Sequence, residues 1–448
     1  MSRWQKNIVL MNSTLYDWKK ISEHLPATRI TYPEQSKLIR SRSLFQLILI
    51  HYSEQDIIND YFEIKYQIMD SKNSTFIIRG KIEGAKEPDL EIYLDNLETE
   101  SQAKNSVVIL PLRQEYKYLL FFIGEEDHYI GPSIKTESWM QDYRNILGNH
   151  SIGEICIPGS HDAGMSSVTW KTLLAGECNT LTQTNNILGQ LKLGIRYFDI
   201  RPVIQDNKFY TGHYAKIAFI WEGSNGESLD SIIDGINEFT KNNNEVIIIR
   251  LDHSLTLDVC FFCTYRKFNQ NEWFKLFDKL SKVNHLYHHD SSDDITKLTV
   301  NTLTNNGTRP AVLFLVENKK TSIDLGKYKN EGFFYISDIN MFDNYSKTND
   351  LSEMADDQIK KMKKYSPSQY FLLSWTLTQD GVQASTCGVI DSYSIKNLAD
   401  HANNDLAQNL YPYITKTIYL NIIHIDNVKD DIVATISLAI NWTVFSYK

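Results

Sequence analysis

Cysteine is sparse in this 448-residue chain, and the five present, Cys156, Cys178, Cys260, Cys263 and Cys387, are odd in number and lack framework spacing. That excludes a small disulfide scaffold. The Cys260–Cys263 pair has no second pair at zinc-finger distance, so the cysteines read as reduced structural thiols. Long apolar runs are missing as well: stretches such as Ser106–Leu112 and Tyr118–Ile123 fall short of the roughly 18 residues a membrane-spanning helix needs. The amino terminus, MSRWQKNIVLMNSTLYDWKK, has no uninterrupted apolar segment and no small-residue cleavage site. It is the pattern of a protein that is cytoplasmic or exported without a cleavable signal peptide. Positive charge is in deficit. A net charge of -9 excludes a nucleic-acid binder, which needs basic patches to displace counterions. It equally excludes a purely electrostatic grip on anionic lipid. A lipid would have to be held by local basic groups or inserted aromatics.

What is there points to two domains. At 448 residues, 42% hydrophobic and 23% charged, the chain has the composition of a soluble globular protein and is too long for one ordinary core. From Ile8 to about Ile130, short β-like runs (Phe62–Met69, Thr75–Arg79, Glu91–Leu94, Val107–Leu112, Tyr118–Ile123) alternate with turn signals such as Gly80, Gly84, Asp95-Asn96 and Gly124. With aromatics at 12%, this spacing predicts a β-rich, sandwich-like domain over residues 1–135, whose role is scaffold or lipid and partner binding. The segment from Gly131 to Glu137 reads as the linker.

After Trp139 apolar strands alternate with amphipathic helices. The expected strands are Glu154–Ile157, Ile195–Arg201, Phe209–Gly212, Glu245–Asp252, Ala311–Val316, Phe333–Asp338, Tyr370–Trp375 and Tyr419–Asp426. Leu229, Ile232, Ile233, Ile236 and Phe239 lie on one helical face, and Asn271–Lys282 forms a second such helix. The pattern predicts an α/β domain over 139–448, an irregular (β/α)8 TIM barrel. The irregularity is Val203–Lys208, too short for a crossover helix, so Phe209–His213 should belong to a hairpin. Trp170, Trp221 and Trp375 read as core or rim aromatics, and a rim tryptophan near the mouth would touch lipid.

Barrel enzymes carry their chemistry at the carboxyl ends of strands. Those ends hold, in order, His161-Asp162, Asp199 and Arg201, His213, Asp252-His253, Glu317, Asp343 and Asp426. Three of only 12 histidines fall at such places, which marks a site for proton transfer.

Four segments then carry a family resemblance: Ile155-Cys156-Ile157-Pro158-Gly159-Ser160-His161-Asp162-Ala163-Gly164-Met165, the run Leu193 to Arg201, Tyr210-Thr211-Gly212-His213, and Asn421 to Asp426. In this order they resemble the X-type catalytic domain of phosphatidylinositol-specific phospholipases C, over about Gln141 to Val428. The resemblance implies a phosphoric diester hydrolase or lyase acting on a phospholipid at a membrane surface, with diacylglycerol and a cyclic inositol phosphate as products. It implies His161 as general base held by Asp426, and His213 as general acid partnered by Asp162. Arg201 becomes the phosphate clamp positioned by Asp199. Asp252, His253, Glu317, Asp343 and Tyr345 become the head-group residues. At Asp252-His253 and Glu317 the chain departs from the basic residues of the bacterial pattern, which opens the head-group specificity. Two residues after Asp199, calcium-dependent members have a carboxylate ligand. Arg201 stands there instead, as in the metal-independent bacterial type, which implies that no metal cofactor is needed. Asp162, Asp199 and Asp252 nevertheless remain a set of oxygen donors suited to a hard cation such as calcium. Two alternatives stay open: a barrel phosphodiesterase for another glycerophosphodiester or a sphingolipid, and a non-catalytic lipid-binding module.

Overall fold

Strands dominate the first 130 residues because buried and exposed side chains alternate along them, as in Leu90–Tyr93, where Leu90 and Ile92 face inward. The computed structural model describes residues 4–25, 28–31, 37–51, 58–83, 89–111, 117–217, 219–259, 264–289, 294–317, 323–386 and 394–446. By contacts the chain divides into two units, Met1–Ile134 with Leu406–Ile414 and Trp442–Lys448, and Lys135–Asp405 with Thr415–Asn441. Among the described residues no helix is long and apolar enough to cross a membrane.

The first unit contains two sheets. One runs His128–Ile130, Lys117–Glu125, Trp4–Thr14, Ser43–His51, Thr28–Thr31; the other runs Leu38–Ile39, Trp18–His24, Ile58–Ile68, Thr75–Glu83, Leu90–Tyr93, Val107–Leu110. Side chains from both sheets form one buried cluster, with Ile8, Leu10 and Phe122 from the first and Trp18, Phe62 and Phe76 from the second. Trp18 meets Phe76 edge-on at 5.1 Å between centroids. The Trp4–Thr14 and Lys117–Glu125 strands pair in parallel. A parallel pair requires a long connection, and here the whole second sheet is inserted between the two partners.

In the second unit eight strands form one all-parallel sheet, in the order Phe333–Tyr335, Ala311–Val316, Val246–Leu251, Tyr197–Ile200, Ile157–Ser160, Ile422–Ile425, Tyr370–Trp375, Met341–Asp343. Arg250 stands on the third strand of that order and Asp343 on the last, yet their side chains are ion-paired. On a flat sheet five strand spacings would separate them by about 24 Å. The sheet therefore curls, as a TIM-type barrel does. No ladder among the described residues joins its first and last strands, so hydrogen bonding leaves it open there.

The expected strand Phe209–Gly212 does not belong to this sheet. It forms part of Lys208–Ile217 in a separate mixed sheet with Trp170–Lys171, Ile220–Ser228, Pro202–Gln205 and Leu255–Thr256. The tight connection makes Lys208–Ile217 antiparallel to Pro202–Gln205, the hairpin that the short connection predicted. Its place in the barrel goes to Met341–Asp343, too short to stand out in the sequence.

Helices form where apolar spacing and caps agree. Ser228 caps Leu229–Thr240 by accepting from the Ser231 N–H, and Asn269 and Glu272 form a capping box on Gln270–Leu280. Arg196 and Glu245, both fully buried, pair at 2.9 Å.

Two findings bear on the cysteines. Cys156 is a buried free thiol whose pKa burial pushes up to about 12, so it is inert near neutrality. Cys178 is disulfide-bonded, which corrects its reading as a reduced thiol, because sequence spacing does not reveal which cysteines folding brings together. Cys260, Cys263 and Cys387 lie outside the described residues.

Candidate active site

Three strand ends and one residue from the middle of a fourth strand supply the site. The Ile157–Ser160 strand ends at His161 and Asp162, and Gly159 within it lets the Ile422–Ile425 strand lie close, since a Cβ there would meet Ile422 Cγ2 at 2.7 Å. Asp162 takes the left-handed conformation at φ +41°, which Asp tolerates better than most residues. Tyr197–Ile200 bears Asp199 and leads directly to Arg201; Ile422–Ile425 leads to Asp426. His213 comes from the long strand of the mixed sheet.

These side chains form one hydrogen-bonded chain. Asp426 Oδ1 lies 2.8 Å from His161 Nδ1, and His161 Nε2 lies 2.7 Å from Arg201 Nη2. Arg201 Nη1 pairs with Asp162 Oδ2 at 3.2 Å, and the same oxygen lies 2.7 Å from His213 Nδ1. Asp199 Oδ2 accepts from Arg201 Nη2 and Nε at 3.1 and 3.3 Å. Thus two imidazoles stand either side of one guanidinium, with carboxylates behind all three. The Asp162, Asp199 and Asp426 carboxylates are buried, while the two rings and the guanidinium remain partly open to solvent.

The contact with Arg201 determines the proton position on His161. A guanidinium has only donors, so Nε2 must accept, and Nδ1 carries the hydrogen and donates to Asp426. His161 is therefore neutral, with its free lone pair aimed at the guanidinium. Burial opposes charging this ring, but the Asp426 carboxylate outweighs burial and holds its pKa above the ordinary value, while Arg201 pulls the other way. Burial likewise opposes ionisation of Asp199, and the Arg201 guanidinium overcomes it, holding that carboxyl far below the usual range.

The expected head-group residues separate into two groups. Asp252, Glu317 and Asp343 converge on Arg250, at 3.0 Å and 3.3 Å for the first two. His253 and Tyr345 remain largely exposed, His253 Nε2 at 3.5 Å from Asp252 and Tyr345 with the Lys347 ammonium 5.6 Å from its ring centroid.

Arg250 itself was not singled out from the sequence, nor was His424. His424 packs edge-on to His161 at 5.2 Å and to Tyr197 at 5.8 Å. Its Nε2 is buried without a hydrogen-bond partner, and burial holds its pKa down at about 3. A signal for both existed. Ile248, Arg250 and Asp252 fall on one face of their strand and His424 and Asp426 on one face of theirs, by the two-residue period.

The oxygen donors suited to a cation are already engaged: Asp162 and Asp199 pair with Arg201, and Asp252 pairs with Arg250. Among the described residues no group of three or more His, Cys, Asp or Glu is arranged to hold a metal ion.

No family model matches the chain. It is 25% identical over 181 residues to a PI-PLC X-box domain-containing protein of Dictyostelium discoideum, covering 35% of this chain and 24% of that one. It is also 25% identical over 119 residues to the variant-surface-glycoprotein phospholipase C of Trypanosoma cruzi, covering 20% of this chain and 31% of that one. The chain thus matches less than a third of the length of either curated relative. Among solved structures, the phosphatidylinositol-specific phospholipase C of S. aureus aligns at 18% identity and TM-score 0.45, over 69% of this chain and 98% of its own. That of Listeria monocytogenes aligns at 18% identity and TM-score 0.44, over 70% and 100%.

Proposed function

We propose that this chain, which is similar to the phosphatidylinositol-specific phospholipase C family with its X-type catalytic domain, cleaves a phosphatidylinositol-like phosphodiester by intramolecular attack. The observation that carries the reading is the continuous chain Asp426–His161–Arg201–Asp162–His213, each link between 2.7 and 3.2 Å.

The substrate phosphate enters at Arg201. Its non-bridging oxygens give the guanidinium anionic acceptors better than a neutral imidazole, so Nη2 leaves His161 Nε2, and the fork binds the phosphoryl group. The freed Nε2 takes the proton of the ring 2-hydroxyl as the oxygen forms its bond to phosphorus. Asp426 stabilises the resulting imidazolium, much as the carboxylate of a serine-protease triad does. The bond from phosphorus to the glycerol oxygen breaks, and His213, held at Nδ1 by Asp162, protonates that oxygen from Nε2. The products are a cyclic inositol phosphate and diacylglycerol. A positioned base and acid each contribute about 10²–10⁴-fold, and a preorganised charge on the phosphoryl oxygens about 10²–10³-fold.

The Arg201 charge lies between Asp162 and Asp199, where a divalent cation would otherwise neutralise the phosphate, which supports a reaction without metal. In the head-group region Asp252, Glu317 and Asp343, fixed by Arg250, supply acceptors for ring hydroxyls. Turnover of a panel of phospholipids, with and without chelator and followed by phosphorus NMR, tests the proposal. A cyclic phosphodiester product in the presence of chelator is expected. Absence of such a product from every inositol lipid refutes it.

A further inference from the structure

The contact between His161 and Asp426 depends on how two strand ends are held beyond their ladder. The Ile157–Ser160 and Ile422–Ile425 strands stay in register as far as Ser160 and Ile425. One more bond follows, from the His161 N–H to the Ile425 carbonyl at 2.9 Å. The ladder stops there, yet the imidazole and the carboxylate stand just past it, 2.8 Å apart. A side chain from the loop between the Glu177–Thr180 and Ile187–Lys192 helices carries the tie onward. Gln183, fully shielded from solvent, donates from Nε2 to the His161 carbonyl at 2.8 Å and more loosely to the Ile425 carbonyl at 3.4 Å. Its Oε1 accepts from the Val428 N–H at 3.0 Å.

The partners fix the orientation of this amide. Carbonyls only accept and a backbone N–H only donates, so the NH2 faces His161 and Ile425 while the oxygen faces Val428. A carboxylate would lose the donor, an apolar side chain would give up every one of these bonds, and asparagine is one methylene short of the span. The loop is itself held at this place. The Gln183 N–H donates to the Met165 carbonyl at 3.1 Å, and the Thr182 carbonyl accepts from the Asn427 N–H at 2.7 Å. The Thr182 hydroxyl donates to the Asp162 carbonyl at 2.8 Å. Two consecutive loop residues therefore grip the backbone beside the histidine and beside its carboxylate.

We infer that Gln183 is a positioning residue, which sets the distance and angle between the His161 ring and the Asp426 carboxylate and so the basicity of that ring. The inference rests on the phosphodiesterase reading only for the part this basicity plays in turnover. Four groups face the ring: Asp426 at 2.8 Å, Arg201 at 2.7 Å, Asp199 at 4.0 Å, and His424 edge-on at 5.2 Å between centroids. Burial opposes a charge on the ring, as does Arg201, and Asp426 is the group that chiefly favours it. Gln183 bonds to the backbone that carries His161 and flanks Asp426, so its removal loosens that one favourable contact.

The test uses the full chain with Gln183→Met, with Asp426→Asn, and with the two combined. The His161 pKa is read by NMR titration of its ring protons, and kcat and KM are measured against pH on a soluble inositol phosphodiester. Gln183→Met is expected to lower the His161 pKa by about 0.5–1 unit. It should lower kcat by about 10–10²-fold with KM within about twofold of wild type. Added to Asp426→Asn, the same change should cost less than about threefold, because the contact it supports is already weakened. Equal losses in both backgrounds, or an unmoved His161 pKa in a folded Gln183→Met chain, overturn the inference, since a role in general packing would be additive. Should Gln183→Met not fold, Gln183→Asn, which keeps the amide but shortens its reach, is judged by the same two criteria. If the wild type turns over no inositol phosphodiester while the His161 pKa still falls in the variant, the positioning role stands and the phosphodiesterase reading falls.

Discussion

Replacing Asp426 by asparagine separates the proton chemistry of this site from mere packing. The carboxylate is buried and meets His161 Nδ1 at 2.8 Å, while the opposite ring nitrogen faces Arg201 at 2.7 Å. Asp426→Asn is nearly isosteric, so the ring keeps its place, but a charged hydrogen bond becomes a neutral one. That loss is about 1.5–3 kcal/mol, or about 10–150-fold in rate. An amide that turns its NH2 towards Nδ1 also reverses the tautomer and puts a hydrogen between Nε2 and the guanidinium. The combined fall in kcat should therefore lie at about 10²–10⁴-fold. The pH profile supplies the sharper test. Asp426 raises the His161 pKa and Arg201 lowers it. A general base must be deprotonated, so kcat/KM rises with pH through that pKa. In Asp426→Asn the acid limb moves to lower pH as the plateau drops. In Arg201→Gln the limb moves to higher pH, with about a 10²–10³-fold loss from the missing phosphate contact. Measuring kcat/KM against pH on a soluble substrate, with folding checked by circular dichroism, decides the matter. A wild-type plateau in Asp426→Asn, or limbs displaced in the same direction in both variants, refutes the assignment of His161 as base.

Removing the proton donor should show up through the leaving group. His213→Ala is expected to lose about 10²–10⁴-fold on an alkyl phosphodiester but much less on a nitrophenyl ester, whose oxygen departs without protonation; equal losses on both would exclude the acid role. His424 governs acid stability. Its pKa is depressed from 6.5 to about 3 in the folded state, so below pH 6.5 the unfolded chain binds a proton that the native one refuses. Stability should fall by about 1.4 kcal/mol per pH unit between those values, about 2 kcal/mol at pH 5, and His424→Leu should remove that slope in urea titrations at pH 7 and pH 5. An unchanged slope would mean that the ring is charged or hydrated in the native state. Glu245→Ala should cost about 3–5 kcal/mol by urea unfolding, because it strands the fully buried Arg196 charge. Retained stability would mean that water reaches the guanidinium.

The candidate site positions were legible because each lies in a short contiguous segment. His161-Asp162, Asp199 with Arg201, and Asp426 sit where an apolar strand gives way to polar residues, and His213 stands within the Lys208–Ile217 strand beside its motif partners Tyr210, Thr211 and Gly212. The helix at Leu229–Thr240 was legible for the same reason, since its spacing and its Ser228 cap are local. Arg250 and His424 escaped notice because each is one polar residue within an apolar strand, and only the curling of the sheet brings their side chains into the interior. Met341–Asp343 was missed as a strand because three residues carry too little pattern. Phe209–Gly212 was recognised as extended but counted in the wrong sheet, as pairing partners are not written in a strand's own residues.

The order of strands and helices, the residue types available for proton transfer and phosphate binding, and the shortage of positive charge were all determined by the sequence itself, since composition and short-range periodicity express them directly. Which carboxylate faces which cation was decided only by the fold. Arg250 and Asp343 are 93 residues apart in the chain and His161 and Asp426 are 265 apart. His161 meets Asp426 once the Ile157–Ser160 and Ile422–Ile425 strands pair side by side, and Arg250 meets Asp343 once the sheet curls. The tautomer of His161 and the neutrality of His424 follow from that arrangement, because each depends on which groups the fold sets beside the ring and shuts away from water.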